Sequence, residues 1–322
     1  MAIDFKVYTD GNREYFLWEA PSGKKMKKDF EFTQSLLDFM DLDMENDFDT
    51  FNGMGKIVQE LYQQKKDNLV SLRATFDKLA LKHIYFQLLR LKWLDKLDDY
   101  ENERYHGKVY DFMPHKSLTH IPMNIITAQH QIKFMFDRAL DSTANPKEPI
   151  QKRMAALYKK NTLNADKVFD FRPIPLNFER VDDSAMVEVL HPDSMIDIVD
   201  YLMREIIRRE ISFKVCKSCG KYFPAIAHGN TEFCNRLFQD TGKPCRDIGS
   251  LAKWREKVAA SHAILLYNKH YKTRFSRIRA GKITREIFQE WAALARDYRD
   301  KVMNGEKTLE EFEDWLKSGR WV

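Results

Sequence analysis

All four cysteines of a 322-residue chain fall between Cys216 and Cys245. They read Cys216-Lys-Ser-Cys219-Gly220-Lys-Tyr222-Phe223, then Glu232-Phe233-Cys234-Asn235-Arg236, then Gly242-Lys-Pro-Cys245-Arg246-Asp247. Two residues separate the first pair, and gaps of 14 and 10 precede the other two cysteines. Four thiolates complete the tetrahedral shell of a structural Zn2+, with each sulfur at about 2.3 Å. Such a shell leaves no position for a reactive water, so the zinc expected here is structural and not catalytic. A Cys-x-x-Cys-Gly turn offers two thiolates to one side of an ion, and Gly220 permits the left-handed backbone that this knuckle needs. Cys234 and Cys245 close the other side. Cys245 precedes an expected helix with Asp247 at its N-cap, where backbone amides favour a thiolate. Knuckle, hairpin and ligand-bearing helix together describe a treble-clef-like finger. Tyr222, Phe223 and Phe233 are expected to pack around the ion. Unpaired buried thiols are the plainer alternative, but they leave the clustering of all four unexplained. Disulfides would suit a secreted chain, and nothing marks this one as secreted.

The same window resembles the CGNR-type zinc-finger proteins of bacteria. It looks more like an uncharacterised family, a domain of unknown function found in bacteria and their mobile elements. The shared strings are Cys216-Lys-Ser-Cys219-Gly-Lys-Tyr-Phe, Phe233-Cys234-Asn-Arg, Cys245-Arg-Asp-Ile-Gly249 and Gly281-Lys-Ile-Thr-Arg-Glu-Ile-Phe-Gln-Glu-Trp291. The resemblance runs from about Asp193 to the C-terminus. A CGNR-type protein is expected to be a DNA-binding regulator. The Cys-Gly-Asn-Arg string itself is absent; Cys234-Asn235-Arg236 is its nearest echo, and the last ligand gap is longer.

Charge points the same way by an independent route. The chain carries a net +5, but residues 214–285 hold 16 Lys and Arg against four acids, and the remainder is net acidic. A basic module on an acidic body implies either a polyanion partner or docking of the two halves on each other. Lys253, Arg255, Lys269, Lys272, Arg274, Arg277 and Arg279 are the expected phosphate contacts, interleaved with Tyr267, Tyr271 and Phe275. Cations for the backbone and aromatics for stacking or packing suit DNA or RNA. A solvated helix face is the plainer reading. A protein-interaction module that binds another protein through its N-terminal helical domain is the functional alternative.

The elements that must position these residues are mainly helical. Only 12 glycines and 10 prolines argue against a turn-rich β-protein. Three regions are expected: a helical N-terminal domain with short β-hairpins over 1–182, a helix plus the four-cysteine knuckle over 183–248, and a basic helix with a helical hairpin over 249–322. The first opens on a hairpin from Ile3 to Trp18 that turns at Asp10-Gly11. Gly53 and Gly55 are expected to start a helix. Apolar periodicity predicts one long helix from Leu69 to about Tyr100, another over Met123–Leu140 and a shorter one over Ile150–Lys160. Two short strands are expected between Val168 and Leu190. Ser194 and Asp197 stand at capping-box spacing ahead of a helix that delivers the chain to the knuckle. A helix from about Ile248 to Lys272 follows, lined on one side by Leu251, Val258 and Leu265. At the end, Gly281-x-x-Thr284-x-Glu-x-Phe288-x-x-Trp291 recurs as Gly305-x-x-Thr308-x-Glu-x-Phe312-x-x-Trp315, two capped helices each burying a Phe and a Trp.

Catalytic patterns do not emerge. Thr50 and Ile57 stand where a phosphate loop around Gly55-Lys56 needs Gly and Ser or Thr. The acidic run Asp38–Asp49 lacks the central Gly and final Glu of a calcium loop. His115, His120 and His130 have no metalloprotease spacing. His228, Asn230 and His262 invite comparison with His-Asn-His nucleases, but the Asp-His doublet of many such enzymes is missing. A non-enzymatic, cytoplasmic protein without membrane partners is expected.

Overall fold

The computed structural model describes residues 4–20, 22–142, 148–161, 165–181, 186–225 and 231–318. Two compact units divide the chain: Met1–Lys214 with Tyr222–Gly229, and Val215–Lys221 with Asn230–Val322. The boundary expected at 182/183 lies outside the described residues. Among those residues the protein is mainly helical with a minor sheet component, as its composition implies.

The first unit begins with β1 (Phe5–Thr9), β2 (Arg13–Glu19) and β3 (Lys25–Glu31). Asp10 fixes the first turn: its Oδ1 accepts from the backbone N–H of Asn12 and Arg13 at 3.0 and 2.9 Å, and Gly11 takes a φ of +106°. The register pairs Val7 with Phe16, so the apolar alternation of both strands faces the core. The main helical segments that follow are α1 (Gln34–Met40), α2 (Phe48–Leu61), α3 (Leu69–Lys82), α4 (Tyr85–Glu101), α5 (Val109–Phe112), α6 (Lys116–Thr119), α7 (Ile121–Met135), a π-helical turn (Phe136–Leu140) and α8 (Ile150–Lys160). Strands β4 (Leu176–Arg180) and β5 (Met186–Leu190) return to the sheet, whose order is β3-β2-β1-β5-β4. Helix α9 (Met195–Arg208) begins on the expected capping box and buries Ile198, Val199, Leu202 and Ile206.

Three local expectations are corrected. The helix foreseen over Leu69–Tyr100 is a hairpin, α3 then α4. His83 breaks it in an extended conformation, and its Nδ1 accepts from the Tyr85 N–H at 3.2 Å. A single helix of that length would reach about 48 Å. Folding back lets Leu72, Phe76 and Leu79 share one core with Ile84, Phe86 and Leu88, while Leu81 is left in solvent at the end of α3. Gly53 and Gly55 lie inside α2 instead of starting it. Gly55 is needed for close packing, because a Cβ there would stand 2.4 Å from Thr119 Cγ2 on α6. Finally, β3 was not foreseen: its charged face masks the alternation of Met26 and Phe30.

Glu14 is fully buried in this unit. Its Oε1 accepts from the Ser35 N–H at 2.5 Å, and Ser35 Oγ lies 3.0 Å from the Tyr85 hydroxyl. Burial pushes the Glu14 carboxyl up to about 8 from 4.5, and the Ser35 donors only partly oppose it.

The second unit contains α10 (Cys245–Arg279), α11 (Arg285–Met303) and α12 (Leu309–Ser318). Thr284 Oγ1 accepts from the Ile287 N–H at 3.4 Å. Thr308 and Glu311 form a reciprocal box at 3.2 and 2.9 Å. Phe288, Trp291 and Phe312 are buried, as the repeat implies, whereas Trp315 is only half-buried at the edge of the same cluster. The inner face of α10 differs from the one expected. Leu251 and Leu265 are exposed, whereas Ala263, Tyr267 and Arg274 are buried against the following helices. The start of the contact with α11 sets the phase: it requires the face carrying Tyr267 and Tyr271, which meet Trp291 and Phe288.

A raised folded pKa means that the folded state keeps a proton the unfolded chain releases, so Glu14 costs stability increasingly as pH rises from about 5 to about 8. Glu14→Gln should therefore gain on the natural protein across that interval, by on the order of 1 kcal/mol per pH unit, in denaturant titrations at several pH values.

Candidate metal centre

Strands β6 (Phe213–Val215) and β7 (Tyr222–Pro224) form a two-stranded sheet, and residues 216–221 turn between them. Within the turn the Cys216 N–H donates to the Lys221 carbonyl and the Gly220 N–H to the Cys216 carbonyl, both at 2.9 Å. Gly220 has a φ of +72°, the left-handed geometry expected of it. The third cysteine is brought alongside by the chain's own backbone: Lys217 N–H donates to the Glu232 carbonyl at 3.0 Å, and Cys234 N–H points at Cys216 Sγ at 3.3 Å. Leu237 and Pro244 then form an antiparallel bridge, with Gly242 left-handed between them. That return places Cys245, whose N–H donates to the Arg236 carbonyl at 2.8 Å. Cys245 is the first residue of α10, so Asp247 lies in the first turn and is not the N-cap.

All four sulfurs lie within 4.8 Å of one another, and Cys219 Sγ stands 3.7 Å from Cys234 Sγ. Sulfurs bound to one tetrahedral zinc would be separated by about 3.8 Å, given bonds of about 2.3 Å. A disulfide needs about 2.05 Å, and all four cysteines are free. Cys216, Cys234 and Cys245 are buried and Cys219 is half-buried. Burial opposes ionisation at Cys216, Cys234 and Cys245. At Cys216 the backbone N–H groups of Cys234, Cys219 and Ser218 outweigh it and bring the thiol down to about 7. At Cys234 burial wins and raises the thiol to about 11, and it raises Cys245 as well. The cluster can therefore hold a metal ion, and a soft divalent cation would supply the positive charge that lets the remaining thiols ionise.

Little else holds this segment together. Among the described residues, none between Phe223 and His262 belongs to either apolar cluster of the protein. Phe233 packs directly on Gly249, where a Cβ would stand 2.2 Å from the ring. Glu232 bridges Lys217 at 3.0 Å and Lys253 on α10. Lys253 and Lys217 as donors hold the Glu232 carboxyl below its usual range. Gly249 and Glu232 stand in the cysteine-bearing strings, yet sequence alone gave neither a packing or pairing role; the glycine one helical turn after Cys245 was the available signal. Tyr222 does not pack around the cluster. It donates to Asp137, and its ring lies 5.1 Å from Phe136, both in the first unit, to which Tyr222 itself belongs.

The expected phosphate contacts separate into groups. Lys253, Arg255, Lys269, Lys272, Arg277 and Arg279 are exposed on α10. Arg274 is not: it is 7% exposed, with its guanidinium 4.7 Å over the Trp291 ring. Tyr267 and Tyr271 are likewise occupied by core packing, because α11 covers their side of the helix. His228 and Asn230 lie outside the described residues. His262 is exposed, and its Nδ1 sits 3.0 Å from the Val258 carbonyl one turn back.

Residues 173–319 match a family of unknown function (DUF6076). The match is to that uncharacterised family and not to the CGNR-type proteins. No curated protein matches the chain, and no solved structure does.

Two outcomes check the centre. Titration with cobalt(II) under reducing conditions should saturate at one ion per chain, with the intense visible bands of a tetrahedral thiolate site, and Cys234→Ser should remove them. Gly249→Ala should force Phe233 aside and destabilise the cobalt-loaded protein by about 1–3 kcal/mol in thermal unfolding.

Proposed function

We propose that the four cysteines hold a structural Zn2+ in a treble-clef-like finger, and that the finger presents α10 as a nucleic-acid-binding helix in a non-enzymatic, cytoplasmic protein. One observation carries the reading of the helix. Lys269, Lys272 and Arg279 recur at spacings of three and seven, which places them on one stripe of α10, and all are exposed. Among the described residues, no carboxylate stands within ion-pair distance of these three or of Arg277. A stripe of exposed cations that form no ion pair among the described residues suits phosphate recognition. Lys253 and Arg255 extend the basic surface towards the cysteines, though Lys253 is already engaged by Glu232. A closed four-sulfur shell supports a structural ion, because it leaves no open coordination position.

A protein-docking reading has its own observation. Leu251, Trp254 and Leu265 are exposed on the same helix, at spacings that share a face. Both readings agree with the absence, among the described residues, of any helix long and apolar enough to cross a membrane.

Affinity of the zinc-loaded protein for random duplex DNA and for RNA should fall steeply with salt. Replacing Lys269, Lys272 and Arg279 together by Ala should flatten the log–log slope on duplex DNA by roughly 0.9 per lost contact. Arg274→Ala should instead lower the melting temperature of the C-terminal unit, as expected of a core residue. Binding that is absent at low salt, or that ignores the triple substitution, would overturn the reading.

A further inference from the structure

The N-terminal unit contains a cavity of about 340 Å³ that the cysteine cluster and the basic helix leave unexplained. That volume falls at the lower end of the range typical of small-molecule sites. Its walls are apolar for the most part, formed by Leu88 and Trp93 of α4, Ile121 and Ile125 of α7, and Met195 and Ile196 at the start of α9. Two lysines of α4, Lys92 and Lys96, also line it.

These lysines are one helical turn apart and face the same space, an arrangement that is unfavourable for two like charges. Lys92 is compensated. Its Nζ donates to the Asp193 carbonyl at 2.6 Å and stands 3.6 Å from the Asp193 carboxylate. Lys96 is not: it donates to the Phe112 carbonyl at 2.9 Å and lies over the Trp93 and Phe112 rings at 5.5 and 5.6 Å. Among the described residues it has no carboxylate within ion-pair distance. Burial lowers its pKa, and Lys92 adds to the effect. A half-desolvated ammonium with spare donors, set in an apolar wall, is complementary to an anion that carries an apolar body.

We propose that this cavity binds a small amphiphilic carboxylate, with the carboxylate on Lys96 and the hydrocarbon between Leu88, Ile121 and Ile125. Lys92 would make no direct contact, since Asp193 already holds it. The site would make the N-terminal unit a receptor for an apolar organic acid, independently of the nucleic-acid reading of α10.

The test is calorimetric titration of the full-length protein with octanoate and with octanol. Octanoate should bind more tightly than octanol. Lys96→Gln should cut octanoate affinity about tenfold or more, as expected for loss of a charge-assisted hydrogen bond, and leave octanol unchanged. Ile125→Trp, which fills the cavity, should abolish both, with the melting temperature of each variant confirming that it folds. The proposal is overturned if octanoate does not bind, if octanol binds equally well, or if Lys96→Gln leaves octanoate affinity intact in a folded protein.

Discussion

Thiols buried close together resist ionisation, and four of them within 4.8 Å cannot all become anions without a cation among them. The segment from the knuckle to the first turns of α10 depends on that constraint. Among the described residues, none from Phe223 to the first turns of α10 belongs to either apolar cluster, and backbone hydrogen bonds align the turn, the Cys234 segment and the helix start. In a small segment without a core, a bound metal ion would do the work that burying hydrophobic side chains does elsewhere. Cys245 is the residue through which this reaches the helix. As the first residue of α10 it would tie the end of a 35-residue helix to the ion.

From that anchor the two faces of α10 separate by chemistry. One face is closed by Phe288 and Trp291, and even an arginine, Arg274, is drawn into it through the Trp291 ring. The opposite stripe carries Lys269, Lys272 and Arg279 in solvent. Packing thus decides which cations are available to a partner, and charge alone does not. Local pairing decides further, since Glu232 takes up Lys253 beside the cysteines.

Much of this was legible in the sequence where the signal is short-range and stereochemical. The Cys-x-x-Cys-Gly turn, the Ser194 capping box, the Asp10-Gly11 turn and the repeated Gly-Thr-Phe-Trp unit each rest on residues a few positions apart, and each appears where it was expected. The clustering of four cysteines was legible for the same reason. What failed depends on contacts distant in sequence. The break at His83 follows from two helices sharing one core, not from a local breaker such as proline. The burial of Arg274 depends on where α11 returns. Counting charges along α10 could not show it, and neither could the apolar spacing of Leu251 and Leu265, which marks a face that is in fact exposed. Gly55 is similar: its role is set by Thr119, 64 residues away.

On the proposed reading, one ion held by the four sulfurs organises the C-terminal segment. X-ray absorption at the zinc edge of protein purified under reducing conditions addresses it most directly. The account predicts one zinc per chain with a single shell of four sulfurs at about 2.3 Å and no nitrogen or oxygen ligand. Protein that folds without metal, or a shell that contains fewer sulfurs and a light-atom ligand, would contradict it.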